Sequence, residues 1–208
     1  MYKHAIAYFE KHLPNAAIEL DYTTPFQLLI AVILSAQCTD KRVNMVTPAL
    51  FKAFPTPEIL STSTFDEVYE YTKSISYPVN KTKYIIETAG MLLSKFGGEI
   101  PSSTTEMQKL PGVGRKTAHV IASVLYNEPV LAVDTHVFRV SRRIGLVDNN
   151  LTTPLAVEKQ LVKNLPTKYI SKFTQWMVLH GRYTCTARSP KCNKCGLSQI
   201  CSYYRRVL

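Results

Sequence analysis

Four of the five cysteines fall in one short stretch, as Cys185-x6-Cys192-x2-Cys195-x5-Cys201. In a reducing compartment, so dense a set of soft thiolates reads as a metal site rather than a disulfide framework. Four thiolates can close a tetrahedral zinc site or hold an iron-sulfur cubane. Two CxxC knuckles would favour zinc, but the stretch contains only one. The C-x2-C-x2-C-x3-C-P run of small ferredoxins, which would mark an electron carrier, does not occur. Cys38 stands alone in an apolar segment and is expected to behave as a small buried hydrophobe.

A second chemical signal is Leu110-Pro111-Gly112-Val113-Gly114-Arg115-Lys116-Thr117-Ala118. A proline and two glycines make a tight turn. With no side chains in the way, the backbone amides of that turn and the positive end of the following helix can approach a phosphate closely. A helix-hairpin-helix grips the DNA backbone in this way without reading sequence. The rival reading is a dinucleotide fingerprint, with Asp134 twenty residues beyond Gly114 as the ribose acid. That fingerprint must follow a strand, whereas Thr104 to Leu110 reads as helix, and Thr117 stands where its third glycine belongs.

The elements that position these groups read as helices almost throughout. Apolar residues recur at helical spacing at Phe26, Leu29, Ile30 and Ile33, at Val43, Val46, Leu50 and Phe54, and at Ile85, Ala89, Leu92 and Phe96. Further stripes run through Ala118, Ile121, Val124 and Leu125, through Val137, Val140 and Ile144, and through Tyr169, Phe173, Trp176, Met177 and His180. Trp176 reads as core, and His136 and His180 as satisfied structural groups. Asp40 is expected to cap the helix after it, Ser103 to Glu106 has capping-box spacing, Pro154 suits a first helical position, and Gly145 suits a C-terminal stop. Only Pro129 to Val133 looks extended, and a single such run cannot make a sheet, so it is expected to be a buried connection in an all-α fold.

Composition narrows the class of partner. The net charge is +10, and residues 159 to 208 hold ten Lys or Arg and no acid. A surface of one sign concentrates polyanions, nucleic acid foremost and acidic membrane second. Phe26 to Ala36 is too short to span a bilayer and the N-terminus lacks the layout of a secretory signal, so a soluble, intracellular protein is expected.

Taken with Ser35-Ala36-Gln37-Cys38-Thr39-Asp40, Val133-Asp134-Thr135-His136-Val137-Phe138-Arg139-Val140 and His180-Gly181-Arg182, these motifs resemble endonuclease III, the iron-sulfur branch of the helix-hairpin-helix DNA glycosylases, in order and over nearly the full length. The resemblance implies a two-lobed all-α fold. A six-helix domain over 18–128 would carry the hairpin at about 104–125, and 1–17 plus 129–208 would form a helical domain whose loop 185–201 binds a 4Fe-4S cluster through all four clustered cysteines. Arg188, Lys191 and Lys194 would offset the cluster's net negative charge and face phosphates.

The same resemblance makes Lys116 the nucleophile that attacks the sugar C1′ of an oxidised pyrimidine nucleotide, with β-elimination following, and makes Asp134 its acidic partner. An ordinary lysine is protonated almost entirely at neutral pH, so a lysine needs help to act as a nucleophile. The base must leave the stack, and by family position Gln37 fills part of the gap. In Ile75-Ser76-Tyr77-Pro78-Val79-Asn80-Lys81, where relatives show Gly-Leu-Tyr-x-x-Lys, Ser76, Tyr77 and Pro78 depart from the pattern: by the resemblance Tyr77 would replace a leucine wedge, and the alternative is that Tyr77 and Pro78 only shape a surface turn. The DNA-contacting candidates are Gly112, Val113, Gly114, Arg115, Gln37, Tyr77, Arg139, Arg188 and Lys191. The expected partner is double-stranded DNA with a damaged base or abasic site, bound by a monomer with no membrane contact. The adenine-removing mismatch branch typically lacks the lysine, and a non-catalytic hairpin module is the alternative of another class.

Overall fold

The computed structural model describes residues 1–207, and no strand occurs among them. In chain order the helices are α1 (Tyr2–His12), α2 (Pro25–Ser35), α3 (Asp40–Ala53), α4 (Pro57–Thr62), α5 (Phe65–Thr72), α6 (Pro78–Phe96), α7 (Thr104–Met107), α8 (Arg115–Leu125), α9 (Thr135–Ile144), α10 (Pro154–Asn164), α11 (Ile170–Tyr183) and α12 (Tyr204–Val207). They form two compact units. One comprises Glu19–Tyr126, and the other joins Met1–Ile18 to the segment from Asn127 onward. No described helix is long and apolar enough to cross a membrane.

The unit of Glu19–Tyr126 is built round α2. Phe26, Leu29, Ile30 and Ile33 predict a one-sided stripe, but every side chain from Leu28 to Leu34 is at most 2% exposed. An all-round apolar helix is stable only when wrapped, and α3, α6 and α8 pack against it. Pro25 opens the helix and the Thr24 side chain accepts from the Gln27 amide, so its N-terminus is capped locally. The α3 cap is Thr39, whose hydroxyl accepts from the Arg42 amide, and Asp40 is the first residue of the helix. Either residue type caps well, and only the extended backbone at Thr39 decides between them. A full capping box forms at Thr64 and Glu67, whereas Ser103 makes no side-chain cap bond and α7 lasts a single turn. The box spacing at Ser103 is therefore not used.

In the other unit the chain's two ends share a core. Phe9 of α1 stacks on Trp176 of α11 at 5.7 Å between centroids, and the Trp176 indole donates to the Leu13 carbonyl at 2.8 Å. The expected buried connection at Pro129–Val133 is buried only from Leu131 to Val133, where the Ala132 amide donates to Thr174 Oγ1 at 3.2 Å, while Pro129 is exposed. Pro154 is the first residue of α10. Gly145 ends α9 at φ +94°, where a Cβ would run into Ser202. That close approach lets the Ser202 and Tyr203 amides donate to the Ile144 and Arg143 carbonyls at 3.0 and 2.8 Å, pinning the C-terminal segment to the end of α9.

Candidate active site and cysteine loop

The hairpin turn is assembled by two short-range bonds and one from α6. Leu110 N donates to the Met107 carbonyl at 3.0 Å, Val113 N to the Leu110 carbonyl at 3.1 Å, and Thr88 Oγ1 to the Pro111 carbonyl at 2.9 Å. Gly112 sits at φ +76°, and a Cβ there would lie 2.9 Å from the Tyr84 ring. Gly114 occupies the cap position of α8 without a side-chain cap. The helix thus starts with backbone donors and the positive end of its dipole turned outward. Gly112, Gly114, Arg115 and Lys116 are exposed, while Val113 and the α8 face of Thr117, Ala118 and Ile121 are buried beneath them. Lys116 is the second residue of α8, and no acidic residue occurs in that first turn. Its amine therefore projects from a rigid, anion-seeking helix start.

Gln37 and Tyr77 lie in the same unit, each just beyond or before a helix end. Gln37 has φ +54° and Tyr77 φ +55°, and among the described residues the only other non-glycine at positive φ is Asn127. A left-handed backbone at a side-chain-bearing residue costs about 1–2 kcal/mol and marks places where structure over-determines conformation. Tyr77 is 62% exposed. Cys38 is half-buried rather than enclosed as expected, because it follows the exposed Gln37 reversal instead of continuing α2.

In the other unit Asp134 is the N-cap of α9, where Oδ1 accepts from the His136 and Val137 amides, both at 2.8 Å. Both capping bonds fall on one oxygen. One turn on, the buried side of α9 meets the cysteine loop. Arg139 donates to the Gly181 carbonyl at 2.9 Å and to the Cys185 carbonyl at 3.3 Å from Nε and 3.2 Å from Nη2. Burial lowers its pKa, with Cys185 opposing. These bonds make Arg139 a brace for the loop that follows α11. A Cβ at Gly181 would lie 2.9 Å from that of His136, so α9 and α11 cross through this glycine. His136 and His180 both have lowered pKa values from burial, His180 to about 4, which keeps them neutral near pH 7.

Arg143, which the sequence did not single out, anchors the loop further. Its Nη1 donates to the Thr186 carbonyl at 2.7 Å and its Nη2 to the Ala187 carbonyl at 2.8 Å, with Nη1 3.6 Å from Cys185 Sγ. Cys185, Cys192, Cys195 and Cys201 all line one hollow, with Ile144 and Leu197 also in its wall. Among the described residues no three Cys, His, Asp or Glu side chains stand close enough to share one metal ion. A cubane takes one thiolate at each of four separate irons, so ligands spread round a hollow suit it, whereas a mononuclear zinc needs them convergent. Burial, joined by Cys185, Cys201 and Cys192, raises the Cys195 pKa against a backbone hydrogen bond. Four soft donors round one hollow fit an iron-sulfur cluster. Arg188, Lys191 and Lys194 are exposed along the same loop.

Residues 30–167 match the HhH-GPD superfamily of base excision DNA repair proteins, and residues 185–201 match the iron-sulfur binding domain of endonuclease III. Endonuclease III of Rickettsia conorii is 44% identical over 196 residues, covering 94% of this chain and 92% of that protein. A trapped endonuclease III–DNA covalent intermediate, an estranged-adenine complex, superimposes with a TM-score of 0.92 at 41% identity, covering 99% of this chain and 96% of that one. A non-covalent endonuclease III–DNA complex gives the same TM-score and identity over 99% and 95% of the two chains. By profile, by identity across almost its whole length and by fold, the chain belongs to the endonuclease III family of the HhH-GPD superfamily.

Proposed function

We propose that this chain is a base excision repair enzyme that removes oxidised pyrimidines of the thymine glycol type from double-stranded DNA and then cuts the abasic strand. The observation that carries the reading is Lys116, an exposed amine on the second residue of a helix whose uncapped N-terminus opens from a glycine turn. The turn's amides hold a backbone phosphate, which sets the adjacent sugar against the amine. Lys116 Nζ, having lost a proton, bonds to C1′ as the C1′–N bond breaks, and the base leaves with the electron pair and takes up a proton. Asp134 is the carboxylate that the family resemblance assigns to the reaction, as proton acceptor or as counter-charge to the sugar. Opening of the sugar ring places the iminium at C1′, where it draws electrons and acidifies the C2′ proton. Loss of that proton breaks the C3′–O bond and releases the 3′ phosphate, and water then frees the lysine.

Cys185, Cys192, Cys195 and Cys201 each give one thiolate to a 4Fe-4S cluster, whose contribution is to pin the loop that carries Arg188 and Lys191 toward phosphates. Gln37 and Tyr77 fill the space vacated by the flipped base. The protein works as a monomer in the cytoplasm, on the nucleoid. One gel series tests the reading: thymine glycol, abasic and adenine-mismatch duplexes, each with borohydride and with Lys116→Gln as control. The expected result is a trapped adduct and nicking on the first two substrates with the unmodified protein and neither with Lys116→Gln. A wild-type protein that gives no adduct, or a Lys116→Gln protein that nicks at an undiminished rate, overturns it.

A further inference from the structure

The two left-handed loops that carry Gln37 and Tyr77 are held by one buried side chain, Lys81. It is 4% exposed, and its Nζ donates to the Leu34 carbonyl at 2.8 Å and to the Ala36 carbonyl at 2.5 Å. These are carbonyls that the end of a helix leaves without intrahelical partners. Every other acceptor there is served from close by. Val32 O takes the Ser35 hydroxyl at 2.8 Å, Ile33 O the Ala36 amide at 3.4 Å, and Ser35 O the Cys38 amide at 3.0 Å. The last turn of α2 contains no basic residue. Lys81 supplies, from a distant part of the chain, both the missing donors and the cation that the negative end of the helix favours.

Lys81 also forms the start of α6. Its amide donates to the Tyr77 carbonyl at 3.2 Å, the first bond of that helix. Beneath the same turn the buried Thr82 hydroxyl donates to the Pro78 carbonyl at 2.8 Å and lies 2.5 Å from the Thr72 hydroxyl. The backbone of Lys81 thus grips Tyr77, while its ammonium grips the residue before Gln37. Burial lowers the Lys81 pKa and the Cys38 thiol partly opposes this, so the amine is held at an electrostatic cost by the two carbonyls.

We propose that Lys81 is a positioning residue that couples Gln37 to Tyr77, so that the two enter the opened duplex as one rigid pair and not as independent loops. The proposal rests on the glycosylase reading above. Its test is a double-mutant cycle in single-turnover base removal from a thymine glycol duplex, using Gln37→Ala and Tyr77→Ala singly and together, in the wild-type and Lys81→Met backgrounds. Fluorescence of 2-aminopurine opposite the lesion reports filling of the gap in the same samples, and β-elimination on a single-stranded abasic oligonucleotide reports an intact lysine site.

With Lys81 present, the combined loss differs from the product of the single losses by about tenfold, within the span of coupled contacts. In Lys81→Met the losses multiply and the fluorescence change is reduced, while single-stranded elimination stays near the wild-type rate. Lys81→Arg, which keeps charge and two donors, restores the coupling. If Lys81→Met is too unstable to assay, Lys81→Gln, with one donor fewer, is expected to give an intermediate coupling. Coupling that persists unchanged in Lys81→Met or Lys81→Gln, or wild-type losses that already multiply, overturns the positioning role alone. A wild-type protein inert on thymine glycol and abasic DNA overturns instead the function on which it rests.

Discussion

Asp134 has an observed role as N-cap of α9 and a proposed one as the catalytic carboxylate, and substitution can separate them. As N-cap it uses Oδ1 alone, toward the His136 and Val137 amides. Asparagine caps about as well as aspartate, whereas alanine loses about 1 kcal/mol at such a position. Asp134→Asn is therefore expected to melt within a few degrees of wild type but to lose at least about a hundredfold in base removal, the scale of a missing acid-base group. Asp134→Ala should lose both. If Asp134→Asn excises thymine glycol at the wild-type rate, the carboxylate is only a cap. Candidates such as Asp134 and Lys116 stand out in sequence because their local setting, a turn becoming a helix, lies in the adjacent residues. Lys81 and Arg143 are not, because their partners sit at Leu34 and Ala36 and at Thr186 and Ala187, and nothing in the intervening chain marks the pairing. Cys38 is misread for a related reason: its exposure follows from the backbone reversal at Gln37, which an apolar neighbourhood does not signal.

At the level of elements, the two glycines of the hairpin let its folding and its proposed phosphate binding be tested apart. Gly112 combines φ +76° with a Cβ position 2.9 Å from the Tyr84 ring, whereas a Cβ at Gly114 would meet nothing within 4 Å. Gly112→Ala is expected to cost about 1–3 kcal/mol of stability through strain and displacement of Tyr84. Gly114→Ala should cost under about 1 kcal/mol as a poorer cap, yet weaken DNA binding by holding the phosphate off the α8 amides. Thermal melts paired with binding titrations check this, and the idea fails if Gly114→Ala binds abasic DNA as tightly as wild type. Periodicity makes these helices legible, since α3, α6, α9 and α11 each bury a spaced apolar face. It cannot distinguish a striped helix from a wholly enclosed one within a short window, which is why α2 emerges as the hub of its unit only in three dimensions. Cap choices at Thr39 and Ser103 turn on backbone angles that residue type leaves open.

The molecule as a whole carries +10, and no acid follows Glu158, so the unit built from the two chain ends holds most of the unopposed charge. In that unit Tyr2 donates to the Leu146 carbonyl at 2.6 Å and Trp176 to the Leu13 carbonyl at 2.8 Å, which binds the N-terminal helix into the same body as the basic loop. The basic loop is thus part of the same unit as both chain ends. Binding through backbone phosphates releases condensed counterions, so log K should fall linearly with log salt. About six such contacts would weaken binding roughly a thousandfold between about 50 and 200 mM salt. Arg188→Gln and Lys191→Gln should each make that slope shallower by about one and weaken damaged and undamaged duplexes alike, since neither contact reads a base. Titrations of an undamaged and an abasic duplex at four salt concentrations measure both effects. A slope near zero, or a slope unchanged by both substitutions, would mean that the basic loop does not meet the DNA backbone and that its charge serves the cluster alone.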